Sequence, residues 1–320
     1  MSKKTQYLLG ILLTIILGTY FYWTLCCSQC SSATNTTEIV QEAEAESQES
    51  TTVSAPIPTP VATRNAFAIT DANGAFSFTS TDNFNFETSG FTPLSPIASE
   101  IDAGIAKLQT YLSENKNKSV AITGLFTSSE TNTSAFPNLG IARANAVKNY
   151  MVSKGLSSKQ LNTFGKLSDE LIPEGTIYNG PLEYTIATAD EATAEASEEE
   201  LKALKAKIKA NPLVLYFAFG ENSIDLSEAQ RQKIADIATY LDKVDDASVS
   251  VIGHTDNVGS GSANLQMGQE RANFVKDYLV TNGIPETKVK AGSRGPDQPI
   301  ASNNTEAGRA KNRRTVISLK

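Results

Sequence analysis

One pattern of domain length occurs twice in this chain. Setting Tyr111-Leu112 on Tyr240-Leu241 and Gly124 on Gly253 brings Ala142-Arg143-Ala144-Asn145-Ala146-Val147-Lys148-Asn149-Tyr150 onto Glu270-Arg271-Ala272-Asn273-Phe274-Val275-Lys276-Asp277-Tyr278. Gly155-Leu156 then meets Gly283-Ile284, and after a small gap Phe84-Asn85-Phe86 and Leu94 meet Leu215-Tyr216-Phe217 and Leu226. A period of about 130 residues is a duplicated domain rather than a solenoid unit. Whatever fold one copy adopts, the other must adopt as well. The copies are expected over 78–188 and 211–320.

In the second copy, apolar spacing predicts a strand at 213–219, a helix at 227–243, a strand at 248–253 and a helix at 265–282. Strands at 287–292 and 313–319 follow. That order is an α/β sandwich, a mixed sheet with helices packed on one face. Ile234, Ile237, Ala238 and Leu241 form one core stripe, and Phe274, Val275, Tyr278 and Leu279 the other. Asp256 follows the β-branched run Val249, Val251, Ile252, so it lies where a strand gives way to a loop. Arg271 falls in the first turns of the next helix. Loops at the C-terminal ends of strands are where such folds bind ligands, and this pair could share one small ligand. Taken singly, Asp256 also reads as a turn carboxylate, Arg271 as a surface helix arginine, and Asn312-Arg313-Arg314 as a solvated basic stretch. His254 is the only histidine in the chain and reads as a packed or hydrogen-bonded turn residue.

The second copy resembles the OmpA-like peptidoglycan-binding domain found in outer-membrane anchor proteins, Pal lipoproteins and the stator protein MotB. The matching pieces are Leu215-Tyr216-Phe217-Ala218-Phe219, the turn Gly253-His254-Thr255-Asp256-Asn257-Val258-Gly259, Asn264-Leu265 and Glu270-Arg271-Ala272. Tyr278-Leu279-Val280, Gly283-Ile284 and Pro299-Ile300-Ala301 follow in the same order, then Asn304-Thr305 and Gly308-Arg309-Ala310-Lys311-Asn312-Arg313-Arg314. The resemblance implies non-covalent binding of peptidoglycan through the diaminopimelate centre of its stem peptide. Arg271 would take the ligand carboxylate in a two-pronged hydrogen bond and Asp256 the ammonium. Thr255, Asn264 and Asn222 would add polar contacts. Asn312 and Arg313 would complete the site, with Arg314 beside them in a cationic rim. No cofactor and no metal is implied.

The first copy departs from that pattern. Leu125-Phe126-Thr127 stands where the second has His254-Thr255-Asp256, although Arg143 remains. The basic closing stretch has no counterpart before Glu183-Tyr184-Thr185-Ile186. A zwitterion site without its carboxylate leaves an ammonium unpaired, so this copy is expected to have lost binding and to serve as a spacer or protein-contact module.

Ahead of both copies, Tyr7 to Leu25 is almost unbroken apolar sequence, long enough for one transmembrane helix. Lys3 and Lys4 place its N-terminus in the cytoplasm, and Tyr20, Tyr22 and Trp23 suit the far interface. The anchor is therefore expected over 1–30, in the inner membrane with periplasmic domains; outer-membrane association is the alternative. A cleaved signal peptide fits less well, because Phe21-Tyr22-Trp23 is a bulky exit, and a lipoprotein signal wants a small residue where Leu25 stands. Cys26, Cys27 and Cys30 are the only cysteines. An odd number of thiols in an oxidising compartment invites a disulfide between two copies of the chain, which would give a homodimer; lipid attachment to one of the three, or their simply filling the helix end, are the alternatives. From Ser31 to about Asn65 the sequence is Ser, Thr, Ala, Glu, Gln and Pro, a disordered tether assigned to 31–77. Its coil dimension is about 30–35 Å and its full extension on the order of 100 Å, a reach that spans from a membrane to a wall layer. Between the copies, 189–210 reads as a helical connector with Ser197 as its cap, ended by Asn211-Pro212.

A net charge of −7 argues against a nucleic-acid partner. No phosphate loop, zinc-protease helix or nucleophile elbow is present, and one histidine leaves little for acid–base chemistry, so no enzymatic activity is expected. The expected function is to tether a membrane to the cell wall. The alternative is an envelope scaffold without wall binding, stator-like or an assembly component. The stator variant is weakened because the apolar run carries no acidic residue.

Overall fold

The computed structural model describes residues 61–189, 191–217 and 224–320, with the side chains of 191–196 left aside. The expected anchor, the three cysteines, the tether as far as residue 60 and Asn222 lie outside the described residues. Among the described residues, no helix is long and apolar enough to cross a membrane.

The first lobe runs β1 (Phe67–Thr70), β2 (Ser77–Ser80), β3 (Phe86–Glu87), α1 (Ser99–Glu114), β4 (Lys118–Phe126), α2 (Leu139–Ser153), β5 (Leu161–Leu167), β6 (Ile177–Tyr178) and β7 (Leu182–Thr188). A long helix, α3 (Glu191–Ala210), leads to the second lobe. That lobe holds β8 (Leu213–Tyr216), α4 (Glu228–Lys243), β9 (Val249–His254), α5 (Gly261–Thr281), β10 (Val289–Gly295), α6 (Glu306–Asn312) and β11 (Arg314–Leu319).

Both lobes are α/β with mixed sheets. In the second, the strand order is β10-β9-β11-β8; β10 runs parallel to β9, and β11 runs antiparallel to β9 and β8. In the first, the order is β5-β4-β7, with β5 parallel and β7 antiparallel to β4. Each parallel pair is joined through one crossover helix, α2 or α5, as parallel neighbours require. The strands form because they are buried: Val249 and Val251 are fully enclosed in β9, as Val120 and Ile122 are in β4. Helix α4 starts at a reciprocal cap in which Ser227 and Gln230 satisfy each other's backbone N–H groups. Its Ile234, Ile237, Ala238 and Leu241 are buried, as the spacing predicts.

Four boundaries differ from the sequence reading. Strand β1 and the turn that leads to β2 fall inside the expected tether, yet Phe67 and Ile69 are buried in the first lobe's core, and Asp71 bridges to Ile186 of β7. Residues 67–77 therefore belong to the lobe: alternating Phe and Ile outweigh the polar composition around them. Helix α3 begins at Glu191, so Ser197 lies within it and does not cap it. Helix α5 begins at Gly261, capped by Ser260, which moves Arg271 from the first turns to mid-helix. Its buried face is Gly268, Arg271, Ala272, Val275 and Leu279, with Phe274 and Tyr278 only half-buried on its flank. Helix α6, capped by Thr305, was not expected at all.

The two lobes are continuous with each other, the described residues forming one unit. Ala135, Phe136 and Ala142 of the first lobe enter the core of the second. The Ala135 N–H donates to Asn282 Oδ1 (2.7 Å), and Asn149 Nδ2 donates to the Gly283 carbonyl (2.8 Å). Lys148 pairs with Asp242, and Lys243 Nζ donates to Asn162 Oδ1 (2.8 Å) and to the carbonyls of Lys159 and Leu161. Burial pushes the Lys243 amine down to about 8.

Candidate functional site

The site is set by a helix–strand crossing so close that only glycine fits. A Cβ on Gly253 of β9 would lie 1.9 Å from the Gly268 carbonyl oxygen of α5. Asp256 is three residues past Gly253 and Arg271 three past Gly268, one turn along the same helix face. The crossing therefore brings the end of β9 and the middle of α5 to one side. The first lobe repeats the device: a Cβ on Gly124 would lie 2.0 Å from the Gly140 carbonyl oxygen. There the residues three further on are Thr127 and Arg143.

In the second lobe a cavity of about 240 Å³ opens at this point, lined by Thr255, Asp256, Val258, Ala263, Asn264, Met267, Arg271 and Arg313. Five of the seven residues expected at the site thus share one cavity. Asp256 is buried; its Oδ1 accepts from the Val258 N–H (3.0 Å) and its Oδ2 from Arg313 Nη1 (2.9 Å). Arg313 Nη2 donates to Glu306 Oε1 (2.9 Å) at the solvent edge. Thr255 ties down the loop through Oγ1, which donates to the Asp256 carbonyl (2.9 Å), and Asn264 does so by donating to the Val258 carbonyl (3.1 Å). The Arg271 guanidinium lies over the Phe217 ring, 5.3 Å from its centroid. Phe217 is held there by its N–H, which donates to the Arg313 carbonyl (3.1 Å).

Electrostatics distinguish the two arginines. Burial lowers the Arg271 pKa, and Arg313 lowers it further, against the opposing pull of Asp256. For Arg313, burial is outweighed by the hydrogen bonds to Asp256 and Glu306, and its pKa is raised. Among the described residues, the cavity lining carries two guanidiniums and one carboxylate, a balance that favours an anionic group in the space between them.

Of the other two expected site residues, Asn222 lies outside the described residues and Asn312 acts elsewhere, as does Arg314 of the expected rim. Asn312 is fully buried, and its side chain is used up by one loop. Its Oδ1 accepts from the N–H groups of Ile300 (2.8 Å) and Ala301 (3.1 Å), and its Nδ2 donates to the Ala301 carbonyl (2.9 Å) and Asn303 Oδ1 (2.8 Å). It has no donor left for a ligand. Arg314 forms no rim: it is buried, donating to the carbonyls of Asn312 (3.3 Å) and Gln298 (3.0 Å). His254 is packed at the end of β9, not in a turn, and burial, then Arg314 and Arg294, push its pKa down to about 4. The reading missed Val258 and Met267 as lining residues and Phe217 as the ring under Arg271. The signal for Phe217 was present, since the duplication already set Phe86 on it, and Phe86 underlies Arg143 at 5.5 Å.

Comparison with known proteins matches the profile described as the OmpA family to residues 84–176 and 216–313, two regions that fit tandem copies. Over 101 residues the chain is 36% identical to the Probable lipoprotein YiaD of Escherichia coli, covering 32% of this chain and 46% of that protein. Over 100 residues it is 40% identical to the Peptidoglycan-binding protein ArfA of Mycobacterium tuberculosis, 31% of each. The chain thus spans less than half the length of these relatives. The crystal structure of the peptidoglycan-associated lipoprotein from Burkholderia pseudomallei aligns at 29% identity over 35% of this chain and 92% of that one, with a TM-score of 0.31.

Proposed function

The chain belongs to the OmpA family, and on that premise we propose that its second lobe binds peptidoglycan non-covalently, through a centre that carries both an ammonium and a carboxylate. The relative named as a peptidoglycan-binding protein supports that partner. The observation that carries the reading is the cavity in which Asp256, Arg271 and Arg313 converge. The diaminopimelate residue of the stem peptide offers the matching pair of charges on one carbon.

Arg271 supplies the planar fork for the ligand carboxylate, with Arg313 adding positive potential. Asp256 accepts the ammonium. Each of its oxygens already takes one N–H and retains a second lone pair, so Arg313 orients the carboxylate without using it up. The chemistry is binding alone, with no bond made or broken. With an N-terminal anchor at 7–25 and the tether behind it, such a chain would link a membrane of the cell envelope to its wall, from the periplasmic side of the inner membrane.

Sedimentation with purified sacculi tests this. The full chain is expected in the pellet. Asp256→Asn and Arg271→Lys, which keep volume or charge, are expected in the supernatant with unchanged circular dichroism. Wild-type sedimentation by both variants would overturn the site assignment. A wild type that stays in the supernatant would overturn wall binding and leave the scaffold role.

A further inference from the structure

The first lobe retains the arginine of the site, and what occupies that arginine is a side chain of the lobe itself. Arg143 and Glu130 form a two-pronged pair, Nη2 to Oε1 and Nη1 to Oε2 (3.2 Å), with both side chains fully buried. The three remaining N–H groups of the guanidinium are also committed: Nε to the Gly90 carbonyl (3.0 Å), Nη1 to the Leu125 carbonyl (2.8 Å) and Nη2 to the Glu87 carbonyl (3.5 Å). All five donors are used. The rings of Phe86 and Tyr178 lie 5.5 and 5.4 Å from the guanidinium carbon.

Glu130 is equally saturated. Besides Arg143, its Oε1 accepts from the Ser89 N–H (2.9 Å) and its Oε2 from the Thr127 N–H (2.9 Å). Thr127 is the counterpart of Asp256 and Arg143 of Arg271, each three residues past a matched glycine crossing. The Glu130 carboxylate therefore sits between the strand end and the helix arginine, at the position where the second lobe has its cavity. The corresponding turn of the second lobe holds Val258 and an open Gly259 with φ +96°.

We infer that Glu130 is a built-in substitute for the ligand carboxylate, so that the first lobe is a carboxylate site closed by its own chain. The duplicated protein is then monovalent, and removing the Glu130 carboxylate exposes a latent site at Arg143 for a small carboxylic acid. The terms substitute and monovalent rest on the carboxylate binding proposed for Arg271, whereas the latent site at Arg143 stands on the Glu130 geometry alone.

Truncation to alanine deletes one methylene and one carboxylate, the atoms that acetate supplies. Thermal unfolding of the full chain is followed by circular dichroism in sodium acetate or formate, against sodium chloride of equal ionic strength. Glu130→Ala is expected to melt well below wild type in chloride and to recover several degrees in acetate. Wild type should not respond, and Glu130→Gln, which fills the same space, should not be rescued. The double variant Glu130→Ala with Arg143→Met should not be rescued either. If Glu130→Ala is unfolded in chloride, the readout becomes recovery of its native spectrum on titration with acetate. The inference is overturned if acetate does no more than chloride for Glu130→Ala in either form, or if the Arg143→Met double variant is rescued equally.

Discussion

Asp256 Oδ2 accepts a hydrogen bond from Arg313 Nη1 at 2.9 Å, across 57 residues of sequence, and the two side chains are only 5% and 8% exposed. The pair ties the end of β9 to the end of α6 directly beside the cavity. Removing one partner of a buried pair leaves the other desolvated, although the second bond from Arg313 to Glu306 softens that loss. Asp256→Ala is therefore expected to lower unfolding free energy by about 2 kcal/mol in urea titrations. Asp256→Asn should lose less stability while losing sacculus binding. Equal stability losses in the two would mean that the charge, which both variants remove, carries the whole structural contribution of Asp256.

The two homologous arginines should respond oppositely. Arg271→Lys keeps a cation over Phe217 but loses the fork, so wall affinity should fall about tenfold or more with little change in melting temperature. Arg143→Lys gives up much of a five-donor network inside the first lobe, and is expected to cost on the order of 3 kcal/mol. Its sacculus binding should stay at the wild-type level. Parallel sedimentation and melting of the two variants separates a binding arginine from a structural one.

Gly253 is expected to tolerate no side chain. Alanine there would set a Cβ 1.9 Å from a backbone oxygen, and neither the strand nor the helix can give way without breaking the sheet register. Gly253→Ala should cost about 3 kcal/mol or more and disturb the site with it. Gly259 is the control. It has open space around it and only its positive φ to protect, so Gly259→Ala should cost about 1 kcal/mol.

Much of this arrangement was legible from the duplication, because a period of that length forces two copies of one topology, and β-branched runs with amphipathic helices specify it. The proximity of Asp256 and Arg271 was expected from a strand end feeding a helix start, but Arg271 lies mid-helix and it is the Gly253–Gly268 crossing that brings the two to one cavity. What stayed hidden depended on reach rather than position. Comparing Thr127 with Asp256 reads as a lost carboxylate, whereas the first lobe keeps one near that place, delivered by Glu130 from three residues away. A linear alignment scores what stands at a position, and a long side chain acts where its tip arrives. Asn312 was misplaced for a similar reason. Its sequence neighbours are basic and suit a binding rim, but helix α6 turns its amide inward onto 300–303, and nothing in the local pattern announces that seven-residue helix.

Asn312→Ala removes four hydrogen bonds from a fully enclosed side chain and leaves the N–H groups of Ile300 and Ala301 without their acceptor. A loss of about 2–4 kcal/mol is expected in urea unfolding, with faster amide exchange at Ile300 and Ala301. Binding should persist at temperatures where the variant is folded. A variant that is stable but does not bind would restore Asn312 to the site.

His254 gives the fold an acid-sensitive step. Its folded pKa of about 4 lies below the ordinary 6.5, with burial the main cause, and among the described residues its Nδ1 has no hydrogen-bond partner. The native state thus holds the ring neutral, while the unfolded chain takes up a proton below pH 6.5. The stabilisation is complete above pH 6.5 and is lost as pH falls through about 4, a total of about 2–3 kcal/mol. This histidine is the only one in the chain. The carboxylates with lowered values, Asp71, Asp102, Asp245, Glu286 and Glu306, start from 3.8 or 4.5, so their losses lie in a more acidic range. Between pH 6.5 and 5, the fall in urea midpoint should therefore belong to His254. In His254→Asn the midpoint should be flat over that interval. The same slope in both proteins would assign the acid sensitivity to another group.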